Sequence, residues 1–97
     1  MRHEDYVRDR ERSDPELLAE RASLRSQYEF RRALIGARLA AGLTQAQVAS
    51  RMNTTQSAVA RLESGETLPR VETLCKLAAV LGVDFEITRD GGITVRT

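Results

Sequence analysis

Apolar residues recur at helical spacing through most of the chain and switch to strict alternation only near its end. Leu17, Leu18, Leu24 and Tyr28, with Arg21 among them, make one stripe. Phe30, Leu34, Ala37 and Ala41 make a second, with Ile35 and Leu39 on a neighbouring face. Shorter patterns follow: Val48, Ala49 and Met52, then Val59 and Leu62, then Val71, Leu74, Leu77, Ala78 and Leu81. After Gly82 the period changes. Asp84-Phe85-Glu86-Ile87-Thr88 and Ile93-Thr94-Val95-Arg96 alternate polar with apolar around Asp90-Gly91-Gly92, which predicts a strand or a hairpin.

Capping residues set the helix boundaries. Ser13-Asp14-Pro15-Glu16 reads as a helix start, with Ser or Asp as cap, Pro in the first turn and Glu16 closing a capping box. Ser26-Gln27-Tyr28-Glu29 repeats that pattern, so the spacing predicts a break near Ser26 and a new helix from about Gln27 to Ala41, stopped by Gly42. The helix of Leu17, Leu18 and Leu24 is then expected to pack over Ile35 and Leu39. Thr44 caps a helix running from Gln45 to Met52, and Asn53–Thr55 forms a turn. Thr54 or Thr55 caps the following helix, which Gly65 ends. The loop Glu66-Thr67-Leu68-Pro69 leads to a last helix, about Val71 to Leu81, stopped by Gly82.

This pattern predicts a mainly α chain in three parts: a charged segment 1–26 with one helix, a five-helix unit over 27–83, and a β strand or hairpin over 84–97. An isolated two-stranded hairpin is marginal in water, so its open edge is expected to pair with a second copy or a partner. Residues 1–12 alternate charges of both signs and read as a solvated tail.

Composition narrows the class. The 97 residues are 41% hydrophobic and 30% charged, ordinary for a folded domain. No apolar run approaches the roughly 18 residues of a membrane span, and the start lacks the apolar core of a signal peptide. With Cys75 as the one cysteine there is no disulfide framework, which makes the cytoplasm the expected compartment. His3 is the one histidine, so neither a zinc site nor a Ser-His pair can be assembled; no enzyme and no cofactor is expected. Cys75, beside Leu74, reads as a small half-buried hydrophobe.

Net charge is only +1, and it is uneven. Up to Arg32 eight Arg balance eight acidic residues; from Ala33 to Val83 five basic residues face three acidic; from Asp84 two face three. A weakly basic middle implies that one copy alone grips phosphates poorly and that two must combine half-sites.

The stretch Thr44–Gly65 has the layout of a helix-turn-helix, two short helices of which the second enters the DNA major groove. Helix N-termini offer free amides to anions, so Thr44 and Gln45 are candidates for phosphate. Gln56, in the first turn of the second helix, can make paired hydrogen bonds to adenine, and Ser57 beside it can read a base edge. Arg61, one turn on, can reach guanine or phosphate. Thr54 and Thr55 can touch phosphate or serve purely as caps, as can Thr44, and Arg70 can approach the DNA backbone. Double-stranded operator DNA is the implied partner.

GLTQAQVASRMNTTQSAVARLESGETLPRVETLCKLAAVLGV resembles the Cro/C1-type helix-turn-helix family of phage and bacterial repressors over about Leu34 to Val83. The match lies in Gly42-Leu43-Thr44-Gln45, Val48-Ala49, Gln56-Ser57, Leu62-Glu63-Ser64-Gly65, Pro69, and Leu77-Ala78 with Leu81-Gly82. The resemblance implies phosphate contact by Gln45 and a structural salt bridge between Arg38 and Glu63. Members often carry Ser or Thr in place of Arg70.

The leader SDPELLAERASLRSQYEFRRALIGAR, with the strand Val83–Ile87, resembles the HigA-type antitoxins. That resemblance implies a cytoplasmic homodimer that represses its own operon and neutralises a small basic, RelE-fold messenger-RNA-cleaving toxin. A stand-alone phage-like or restriction-controller repressor without a toxin is the alternative. A protein-interaction module without DNA binding is the alternative of another class.

Overall fold

A computed structural model describes residues 15–66 and 68–97, and for residues 17–23 the backbone alone. The charged tail, the capping box at Ser13 and the loop residue Thr67 lie outside the described residues. Among the described residues the order is α1 (Pro15–Ala40), α2 (Gln45–Met52), α3 (Gln56–Ser64), α4 (Val71–Leu81), β1 (Asp84–Ile87) and β2 (Ile93–Arg96).

The first departure from the sequence expectation is α1. It is one helix of 26 residues, about 39 Å at 1.5 Å per residue, with no break at Ser26. Capping is useful only where amides lack a helical partner, and the good helix formers on both sides of Ser26 carry the helix through it. The Ser26 hydroxyl is used elsewhere, donating to the Gly91 carbonyl at 2.8 Å. Four helices therefore stand where five and an extra one were expected. An unbroken helix cannot fold back on itself, so Leu24 and Leu39 are left 61% and 62% exposed rather than packed together. The side chains of Leu17, Leu18 and Arg21 lie outside the described residues.

The other helices follow their local signals. α1 closes through Gly42, at φ 70°, with the Leu43 amide donating back to the Arg38 carbonyl at 3.1 Å. Thr44 caps α2, Thr55 caps α3, and Asn53 takes the left-handed conformation between them. One face of each element meets in a single core. Phe30, Leu34 and Ala37 come from α1, Val48 and Ala49 from α2, Val59 from α3, Leu77 and Leu81 from α4. Full burial of a side chain such as Phe30 or Leu77 contributes about 1.5–3 kcal/mol. Val71 is exposed, because the helical stripe of α4 reaches the core only from its second turn, at Leu74 and Leu77. Cys75 is exposed as well, not half-buried.

β1 and β2 form an antiparallel hairpin in which Phe85 faces Val95 and Glu86 faces Thr94. Its support is α1. Ile93 is buried, Phe85 and Val95 pack against the core, and the Phe30 and Phe85 rings lie 6.2 Å apart at 48°. Packing against a helix is what lets two strands persist. The turn is pinned to α1 by Ser26 on Gly91 and by a 2.6 Å bridge from Arg25 to Asp90. Gly92 leaves no room for a side chain, since a Cβ there would sit 2.7 Å from the Thr88 hydroxyl.

Asp90 makes this turn pH-sensitive. Hydrogen bonds from Thr88, then from Arg25 and the Gly92 amide, lower its carboxyl to about 2. A depressed carboxylate stabilises the fold above its unfolded value near 3.9, and that contribution is lost as pH falls from there toward 2. A carboxyl-carbon NMR titration should find the Asp90 midpoint near 2, moving up in Arg25→Gln. A midpoint near 4 in the wild-type protein would show that the turn is not held this way.

Candidate nucleic-acid interface

The two helices of the motif are prepared at their starts. The Thr44 hydroxyl accepts from the Gln47 amide at 3.1 Å while the Gln47 side chain accepts from the Thr44 amide at 2.8 Å. This capping box was readable in Thr44-Gln45-Ala46-Gln47, and the sequence reading missed the part of Gln47 in it. It satisfies the third amide of the helix and leaves those of Gln45 and Ala46 pointing outward at the positive end of the helix dipole. At α3 the Thr55 hydroxyl accepts from the Ala58 amide at 3.1 Å, leaving the amides of Gln56 and Ser57 outward. Between Thr54 and Thr55 the cap is Thr55; Thr54 is exposed in the turn, its amide bonded to the Ala49 carbonyl.

Gln56, Ser57 and Arg61 are all exposed on α3, Gln45 is half-buried, and Arg70 is exposed at the N-cap of α4. Arg70 makes no side-chain capping bond, because a guanidinium has no acceptor to offer the helix amides. A cleft of about 360 Å³ between the motif turn and α4 brings Arg61 and Lys76 to one side, beside Thr54 and Thr73. Lys76 and Thr73 were not among the sequence candidates. Their place next to Arg61 depends on how α4 crosses α3, which local spacing does not show.

Charge is more favourable to an anion than the total suggests. No acidic residue occurs from Thr44 to Leu62, while Arg51 and Arg61 both stand exposed there. The first carboxylate met along the chain is Glu63, only 6% exposed. It receives two bonds from Arg38, Nε to Oε2 at 2.7 Å and Nη2 to Oε1 at 3.0 Å. The third donor of Arg38 goes to the Leu43 carbonyl at 3.0 Å. The hydrogen bond with Glu63 raises the Arg38 pKa despite partial burial. The pair thus removes one negative charge from the motif's surface and ties α1 to α3. Gly65 completes that joint. At φ 71° it lets the end of α3 approach α1, where a Cβ would stand 3.2 Å from the Arg31 Cβ and from the Gln27 carbonyl.

Chemically, the surface offers outward amides at two helix starts, the exposed cations Arg51, Arg61, Arg70 and Lys76, and the exposed side chains of Gln56 and Ser57 at the head of α3. This suits phosphate with base edges beyond it. Among the described residues there is no group of three or more potential metal ligands and no helix long and apolar enough to cross a membrane.

Comparison with known proteins bears on the family of the chain. Residues 34–87, more than half of the chain, match the family described as helix-turn-helix. An uncharacterized HTH-type transcriptional regulator of Haemophilus influenzae is 41% identical over 54 residues, 56% of this chain and 55% of that protein. The chain thus spans about half the length of the curated relative it matches. No solved structure matches it. On the extent of the family match, which includes α2, α3, α4 and the capped, acid-free surface between Thr44 and Leu62, this chain belongs to the helix-turn-helix family of DNA-binding transcriptional regulators.

Proposed function

We propose that the chain is a cytoplasmic, dimeric repressor of its own operon that also acts as an antitoxin. The observation that carries the repressor half is the head of α3. Gln56 and Ser57 are exposed above the Thr55 cap, Arg61 stands one turn on, and the chain carries no acidic residue from Thr44 to Leu62. Gln45, Thr44 and Thr55 lie where phosphates would flank such a helix, and Arg70 adds a cation at the start of α4. The near-neutral total charge supports the dimer, because a few cations per copy give weak binding unless two half-sites are engaged together.

The antitoxin half rests on the HigA-like leader and on the apolar side chains Leu24, Tyr28 and Leu39, which α1 leaves in solvent. Such side chains on a helix suit a protein partner, here a small RelE-fold toxin.

Gel shifts with the DNA upstream of the chain's own gene test the repressor. A salt-sensitive shift is expected, and no shift at low salt would leave the interaction module as the better reading. Co-expression with the adjacent open reading frame, followed by co-purification, tests the toxin. Removing residues 1–22 spares Arg25 and Ser26, which hold the hairpin turn, and is expected to weaken toxin binding more than operator binding. The reverse order would mean that the leader serves DNA binding instead.

A further inference from the structure

We infer that β2 is the dimer seam, pairing antiparallel with β2 of a second copy to give a four-stranded sheet with one β1 at each edge. This deepens the dimeric reading above and rests on it. The hairpin has two open edges, and they differ in which charges they present. At its mouth the Thr88 amide donates to the Gly92 carbonyl at 2.8 Å. Alternation along the antiparallel ladder then turns the backbone groups of Glu86, Thr94, Asp84 and Arg96 toward each other. Those of Ile93, Val95 and Thr97 point to the free edge of β2, and those of Phe85 and Ile87 to the free edge of β1.

Self-pairing of β1 is opposed in each register that joins its outward residues. A two-fold axis at Phe85 sets Asp84 against Glu86 of the other copy, an axis at Glu86 sets Glu86 against its own counterpart, and an axis at Ile87 sets Asp84 against Asp90. Like charges directly opposite destabilise a strand pair and guard an edge. β2 carries no such guard. With the axis at Val95, which uses all three outward residues, Val95 meets Val95, Ile93 meets Thr97, and Thr94 meets Arg96. Arg96 is already neutralised by Glu86 at 3.0 Å within its own hairpin. The inner face stays apolar across the seam, continuing the face on which Ile93 is buried. Beside this edge runs an open groove of about 460 Å³ between β2 and the α1 residues Ala33, Gly36 and Ala40. The second strand fits there.

Two variants separate this seam from a fold defect. Thr94→Lys places a cation opposite Glu86 within the hairpin, which favours the monomer's own sheet, and opposite Arg96 across the seam, which opposes the dimer twice. Gly36→Leu fills the groove from a helix position where an added Cβ meets nothing within 4 Å, so the single copy keeps its fold.

The wild-type protein is expected to sediment as a dimer with slow hydrogen exchange at the Ile93 and Val95 amides. Thr94→Lys should weaken it roughly ten-fold, and Gly36→Leu should leave a monomer with wild-type circular dichroism. A dimer unchanged in both variants, with those two amides exchanging fast, would overturn the seam while leaving the dimeric repressor standing. A wild-type chain that stays monomeric in solution and on DNA would overturn both. Protection of the two amides only when the co-expressed partner is added would assign this edge to that protein and overturn the seam as well.

Discussion

Replacing Arg38 with methionine is expected to cost the fold about 3–5 kcal/mol, the usual loss when one member of a buried ion pair is removed. Glu63 is 6% exposed and its carboxylate takes two bonds from the Arg38 guanidinium. Methionine keeps much of the side chain's length and none of its charge. Glu63 would have to hold an uncompensated charge, take up a proton, or draw water into the joint between α1 and α3. The Leu43 carbonyl would lose its donor at the same time. Urea denaturation followed by circular dichroism measures the loss. Arg38→Met with Glu63→Met in the same chain should recover part of it, because two apolar groups in place of a buried pair leave nothing stranded. A single Arg38→Met protein within about 1 kcal/mol of wild type would mean that the pair is solvated and interchangeable with surface charge. Since this joint orients α3, the folded fraction of the variant should also bind operator DNA less tightly.

The parts of the fold that could be read from the sequence are those decided within a turn or two of chain. Thr44, Thr55, Gly65 and Gly82 mark the ends of α2, α3 and α4 because a cap satisfies amides or carbonyls three or four residues away. Ser26 misled for the same reason. Its local pattern with Glu29 is that of a cap, but its hydroxyl is claimed by Gly91, 65 residues distant, and nothing nearby in the sequence announces that contact. The support of the hairpin by α1 and the approach of Lys76 to Arg61 were invisible for the same reason. Net charge misled in another way. A total of +1 averages the two exposed arginines of Thr44–Leu62 with acidic residues elsewhere in the chain, and it counts Glu63, whose charge is spent on Arg38, so it understates the positive character of Thr44–Leu62. The residue string already held the missing signal, in the absence of any acid from Thr44 to Leu62.

Gln56→Ala is expected to remove operator preference while leaving the fold untouched. Gln56 is exposed in the first turn of α3, and the cap of that helix belongs to Thr55, so alanine removes no bond that holds the protein together. A bidentate amide contact to adenine discriminates by about 1–3 kcal/mol, or roughly 5- to 150-fold in relative affinity. Binding of the variant to its operator should fall by that order, while binding to unrelated DNA at the same salt concentration stays near its wild-type level. Arg70→Ala is the contrasting change, because a phosphate contact carries no sequence information. It should weaken operator and unrelated DNA alike and reduce the salt dependence of binding by about one ion. The two variants together separate reading from gripping. If Gln56→Ala behaves like Arg70→Ala, Gln56 faces a phosphate and the bases are read further along α3, with Ser57 and Arg61 as the side chains positioned to do it.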